Sequence, residues 1–197
     1  MKLILAFIAF TMFSHANLGA KMEVVKNYQT VEIKQVLAEK TPLQIYKDSL
    51  AKSAQRLNIP VKWFLVITYN ESLFDAKAKN KLSTATGILQ FTSGTAKMLN
   101  TSVTALRNMS AVQQIPYAEK YMQMGIDLFG AYKSETDMYI WCLLPYKRPL
   151  ADKPNAVLMK KGDKYYGLNS GLDINCDGMV QVYEITQRLK DKAKQMG

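Results

Sequence analysis

A chain of 197 residues with 48% hydrophobic and 21% charged content can bury one core of ordinary domain size, with a small addition at most. Its formal charge of +10 points to an anionic surface as partner, unless the lysines only solvate the exterior. The lysines are dispersed and lack the aromatic interleaving of a nucleic-acid reader, so nucleic acid is not an expected partner.

Lys2 precedes an apolar run over 3–13, followed by Ser14, Ala16, Gly19 and Ala20, the pattern of a secretory signal peptide cleaved after Ala16 or Ala20. The run is too short to cross a hydrocarbon core of roughly 30 Å as a helix, and no later segment approaches the roughly 20 apolar residues needed. A mature protein without a membrane span, secreted or periplasmic, is the expectation. Removing Lys2 lowers the charge from +10 to +9. It also removes His15, the one histidine, and with it every Ser-His-Asp or Cys-His mechanism and every histidine-dependent zinc site. Cys142 and Cys176 are too few for a cysteine-only zinc site. They allow one disulfide in an oxidising compartment, or a free thiol at Cys142 within the apolar run 138–144.

Residues 21–40 carry no clear period and read as a leader segment. Thr41-Pro42-Leu43-Gln44 is a capping box with proline at the first helical position, and Leu43, Tyr46, Leu50, Ala54 and Leu57 continue at helical spacing. Asn58-Ile59-Pro60 breaks that helix. A second begins at Val61 and is apolar nearly all round, as a buried element would be. The polar stretch 75–87 predicts turns, and a helix is expected near 95–99. Ser110-Ala111-Val112-Gln113 opens a long helix to about residue 132 despite Pro116. A further helix over 135–144 ends at Pro145. Residues 147–167, with three basic clusters, two prolines and two glycines, predict an exposed loop. The last helix spans 184–195. No alternating strand series is present, so the predicted class is mainly α.

Without imidazole, proton transfer falls to a carboxyl, lysine or tyrosine. Glu71 closes the strongly apolar helix, between Tyr69 and Leu73-Phe74. A carboxyl in an apolar pocket is harder to ionise, which raises its pKa toward about 6 and lets it donate a proton near neutrality.

Ile59-Pro60, the apolar helix, Asn70-Glu71-Ser72-Leu73-Phe74-Asp75, and then Ala85-Thr86-Gly87-Ile88-Leu89-Gln90-Phe91 with Thr95-Ala96 resemble two ordered motifs of the soluble lytic transglycosylase and goose-type lysozyme family. The resemblance covers roughly 41–145. It implies a lysozyme-like fold, peptidoglycan glycan strands as substrate, Glu71 as general acid and then base, Ser72 orienting the carboxyl region, and Gln90 lining the saccharide cleft. The family's third motif, Tyr-Asn-Ala-Gly, is absent in that form; within 137–146 Tyr139 is the better candidate for its cleft tyrosine and Tyr146 the second. The implied reaction breaks the β-1,4 bond between N-acetylmuramic acid and N-acetylglucosamine, closing a 1,6-anhydro ring with one carboxyl where most glycosidases use two. Asp75, the nearest spare acid, reads as structural. A hydrolytic muramidase on the same fold, and a wall-binding protein without chemistry, are the alternatives.

Residues 173–184 match an EF-hand loop, with Asp173, Asn175, Asp177 and Glu184 at ligand positions, Gly178 at the turn, Met179 offering its carbonyl and Val180 at the apolar position. The exiting helix is present, whereas 166–171 is a poor helix former, so half a hand that clamps Ca2+ structurally is expected. The predicted organisation is a signal peptide at 1–20, a leader at 21–40, a lysozyme-like single domain at 41–146, a basic loop at 147–167, and an EF-hand-like loop-helix appendage at 168–197.

Overall fold

The computed structural model describes residues 40–196. The expected signal peptide and, Lys40 aside, the leader segment lie outside the described residues. From Pro42 onward the elements are α1 (Pro42–Arg56), α2 (Val61–Ser72), α3 (Ser93–Met98), α4 (Val103–Asn108), α5 (Ala111–Phe129) and α6 (Glu135–Leu143). A 3-10 turn (Pro145–Leu150), β1 (Val157–Lys160), α7 (Tyr166–Asn169), a second 3-10 turn (Ser170–Leu172), β2 (Met179–Gln181) and α8 (Val182–Met196) follow. The chain is mostly helical, as its capping and spacing signals require.

Tyr46, Leu50, Ala54 and Leu57 form the buried stripe of α1 and its exit, while Leu43 at the helix start is exposed. α2 contributes Phe64, Val66 and Ile67, none with measurable exposure; burying side chains of this size is worth roughly 1.5–3 kcal/mol each. The capping box of α5 is complete: the Gln113 amide donates to Ser110 Oγ at 3.3 Å and the Ser110 amide to Gln113 Oε1 at 2.8 Å. Pro116 is accommodated in the second turn, and Gly130, at φ +81°, ends the helix.

Three features depart from the expectations. β1 and β2 pair antiparallel, with Met159 opposite Val180, a ladder too short to show as alternation in the sequence. The stretch 147–167 is not simply a solvated loop, because Arg148 is a buried hub. Its Nε donates to Asp137 Oδ1 at 2.7 Å, and its terminal nitrogens donate to the carbonyls of Gly125 and Gly130 and to Asp137 Oδ2. Its guanidinium lies 4.1 Å from the centre of the Tyr132 ring. Bidentate donors and a planar charge suited to stacking explain why arginine occupies this position.

Nor is the C-terminal segment an appendage. α8 lies against α2 and α6 with Val182, Glu184, Ile185 and Leu189 buried, and Thr186 Oγ1 meets Thr136 Oγ1 of α6 at 2.9 Å. Residues 42–196 accordingly form one unit. Cys142 and Cys176 are both free thiols.

Candidate active site

α2 drives its apolar faces into the core and stops abruptly. Leu73 (φ 53°) and Phe74 (φ 67°) both take left-handed backbone, unfavourable for side chains with a Cβ by roughly 1–2 kcal/mol each. The Leu73 amide returns to the Tyr69 carbonyl at 2.9 Å, and the Phe74 ring packs between Tyr46 and Tyr69 at centroid distances of 5.5 and 5.3 Å. This sharp reversal leaves Glu71 on the final turn, part-buried: its carboxyl is densely surrounded while the residue keeps some accessible surface.

Burial raises the Glu71 pKa to about 7, against a smaller opposing pull from hydrogen bonds to Tyr139 and Asn70 and from the positive charge of Arg188. Asn70 Nδ2 donates to Glu71 Oε1 at 3.3 Å, and Arg188 Nε donates to Asn70 Oδ1 at 2.9 Å. Tyr139 comes from α6 and is only 4% exposed, so its hydroxyl serves the carboxyl and its ring offers little surface to a sugar. Tyr146 is exposed and sits beside Lys147. The groups that shift Glu71 are Tyr139, Asn70 and Arg188, none of them a carboxylate. Asp75 is turned to the Lys77 amide, which it accepts at 2.7 Å, as a structural Asx turn.

The second motif forms a tight loop between α2 and α3. Ser72 Oγ donates to the carbonyls of Thr68 at 3.0 Å and Ile88 at 3.2 Å, so it fastens this loop to the end of α2 and makes no contact with the Glu71 carboxyl. Gln90, itself at φ 47°, donates from Nε2 to the Gly87 carbonyl at 3.1 Å, and its side-chain oxygen accepts no hydrogen bond among the described residues. Gly87, at φ +76°, is required twice over, since a Cβ there would lie 2.2 Å from Gln114 Oε1. Gln114 has no exposed surface: it accepts the Ile88 amide and donates to the carbonyls of Ala76 and Leu106, each at 2.9 Å. Sequence reasoning assigned no role to Gln114, Asn70 or Arg188. Asn70 lay inside the quoted motif; the other two carry no local signal, because their partners are distant in the chain.

At 173–184 Asp173 accepts the amides of Asp177 at 3.1 Å and Gly178 at 2.9 Å and the Tyr166 hydroxyl at 2.6 Å, contacts that hold its carboxyl below the usual range. Asn175 and Asp177 accept the amides of Asp177 and Met179, and Gly178 takes φ +83° at the turn. Glu184 is fully buried, with Oε1 on the Ile174 amide and Oε2 on the Gln181 amide, both within hydrogen-bond distance. No basic side chain pairs with Asp173 or Glu184 among the described residues. In type and order these donors fit a hard, oxygen-seeking cation, whose charge would offset the two buried carboxylates. Among the described residues no three acidic, histidine or cysteine side chains are gathered around one point.

A helical fold with one desolvated glutamate at the end of a buried helix, which Ser72 fastens to a glycine-to-glutamine loop, is the arrangement of a lysozyme-like fold. The family model for the transglycosylase SLT domain matches residues 48–147, just over half of the chain, and the protein belongs to that family. Peptidoglycan is the family's substrate, and transglycosylase-type lysis its activity. No curated protein matches the chain. No helix among the described residues is long and apolar enough to cross a membrane.

Proposed function

We propose that this protein is a lytic transglycosylase that cleaves the β-1,4 bond between N-acetylmuramic acid and N-acetylglucosamine, with Glu71 as its single acid and base. The observation that carries the reading is the Glu71 carboxyl, raised to about 7 by burial and served only by neutral hydrogen-bond donors and one indirect cation. Near neutrality it holds a proton for the glycosidic oxygen as that bond breaks. The resulting carboxylate then takes the proton of the muramic acid's own C6 hydroxyl as that oxygen attacks C1, so the 1,6-anhydro ring closes without water. Tyr139 and Asn70 stabilise the carboxylate between the two steps, and Gln90 contacts the glycan through its free side-chain oxygen.

The loop of Asp173, Asn175, Asp177, the Met179 carbonyl and Glu184 takes Ca2+ in a structural role. When bound, the ion supplies positive charge to buried carboxylates and no chemistry at the scissile bond. The leader is removed on export, so the enzyme works in the periplasm or outside the cell.

The test is incubation of the protein lacking its leader, and of Glu71→Gln, with purified peptidoglycan, followed by mass spectrometry. Soluble muropeptides lighter by one water than hydrolytic ones, absent with Glu71→Gln, are expected, with activity declining as pH rises through about 7. Reducing-end products would make it a hydrolase, and no products would leave a wall-binding protein.

A further inference from the structure

The family match ends at residue 147, yet the hydrogen-bond chain that reaches the Glu71 carboxyl begins at residue 188. Arg188 is part-buried on the face of α8 that packs against α2. Its Nε donates to Asn70 Oδ1 at 2.9 Å, which fixes which end of the amide faces Glu71: the oxygen is taken by arginine, so the NH2 group is presented to Glu71 Oε1 at 3.3 Å. An unheld asparagine could present either end, and its oxygen against the carboxylate would be repulsive. We infer that Arg188 is a positioning residue for the proton-transfer step, acting through Asn70, and that α8 therefore belongs to the active site. The inference deepens the proposed function and rests on it only where turnover is measured.

The other groups that face Glu71 support this division of labour. From α6 come Tyr139, which hydrogen-bonds the carboxyl, and Cys142, a part-buried thiol that interacts with it. Neither is cationic. Lys192, one turn beyond Arg188, lies 5.9 Å from the centre of the Tyr69 ring; it is absent from the groups acting on Glu71. Arg188 is thus the one positive charge among the described residues that acts on the acid, and it acts with a fixed orientation that lysine would not reproduce.

The test combines carbon-13 NMR titration of the Glu71 side chain with turnover of peptidoglycan, in the wild type, Arg188→Met, Arg188→Lys and Gln187→Ala. Gln187 is exposed on the same helix and bonds only to Asp191, so its variant controls for general disturbance of α8. Removing the cation should move the Glu71 titration, and the alkaline limb of the activity profile, to higher pH. kcat should fall roughly tenfold to hundredfold with little change in KM, the size of loss that follows misplacement of a reacting group. Arg188→Lys should restore the titration more fully than it restores kcat, and Gln187→Ala should move neither. A folded Arg188→Met protein whose Glu71 titrates as in the wild type overturns the inference. A wild type that yields no products, while Arg188→Met still shifts the titration, supports the coupling and removes the enzymatic reading instead.

Discussion

Glu71 sits between two opposing influences: crowding disfavours its charge, while Tyr139, Asn70 and Arg188 recover part of what solvent would have given. Its raised pKa has a consequence for folding. Between the unfolded value of 4.5 and the folded value near 7, the unfolded chain loses this proton first. The group's contribution to stability is therefore fully present below about pH 4.5 and is lost as pH rises through 7. Glutamine cannot ionise, so Glu71→Gln should gain on the wild type by about 2–3 kcal/mol between pH 4 and pH 8, allowing for partial exposure. Urea denaturation of both proteins at the two pH values measures it, and parallel pH dependences would contradict the desolvated carboxyl. At this scale the sequence was informative but incomplete. The end of an apolar helix drew attention to Glu71 only weakly; its role as acid, and that of Gln90 in the cleft, came from the resemblance of the two motifs. Arg188 was not legible, since nothing in a charged amphipathic helix distinguishes the one arginine turned inward. Tyr139 was found for a different reason from the one the structure gives: it was expected against the sugar and stands against the acid.

Among the elements, α5 was legible from its cap, whose hydrogen bonds depend only on residues three apart, as Ser110 and Gln113 show, and α2 from its continuous apolar run. What escaped was structure held from a distance. α4 is six residues long and carries no period of its own, but Leu106 buries completely and its carbonyl holds Gln114. The 3-10 turn after α6 looked like solvated charge because arginine and lysine are adjacent there, although Arg148 and Asp137 are both almost fully buried. Removing one partner of such a pair leaves the other charge desolvated, a loss of roughly 3–5 kcal/mol. Arg148→Met should therefore unfold at markedly lower urea concentration, and restoring near wild-type stability requires replacing Asp137 as well. A single variant as stable as the wild type would show that the pair contributes nothing net.

Across the molecule, the buried carboxylates of the 173–184 loop and the active site share α8: Glu184 lies in its first turn and Arg188 one turn later, on the same face. If the loop takes Ca2+ as proposed, the melting temperature should rise on adding calcium and fall with chelator, and Asp173→Ala should remove the difference. Identical melting curves with and without calcium would reduce the loop to a hydrogen-bonded turn. The Arg188 to Asn70 bond also spans 118 residues. A chain still being synthesised thus carries its acid long before the partner that orients it exists. The contact that orients Asn70 can form only after α8 has been made and has packed against α2.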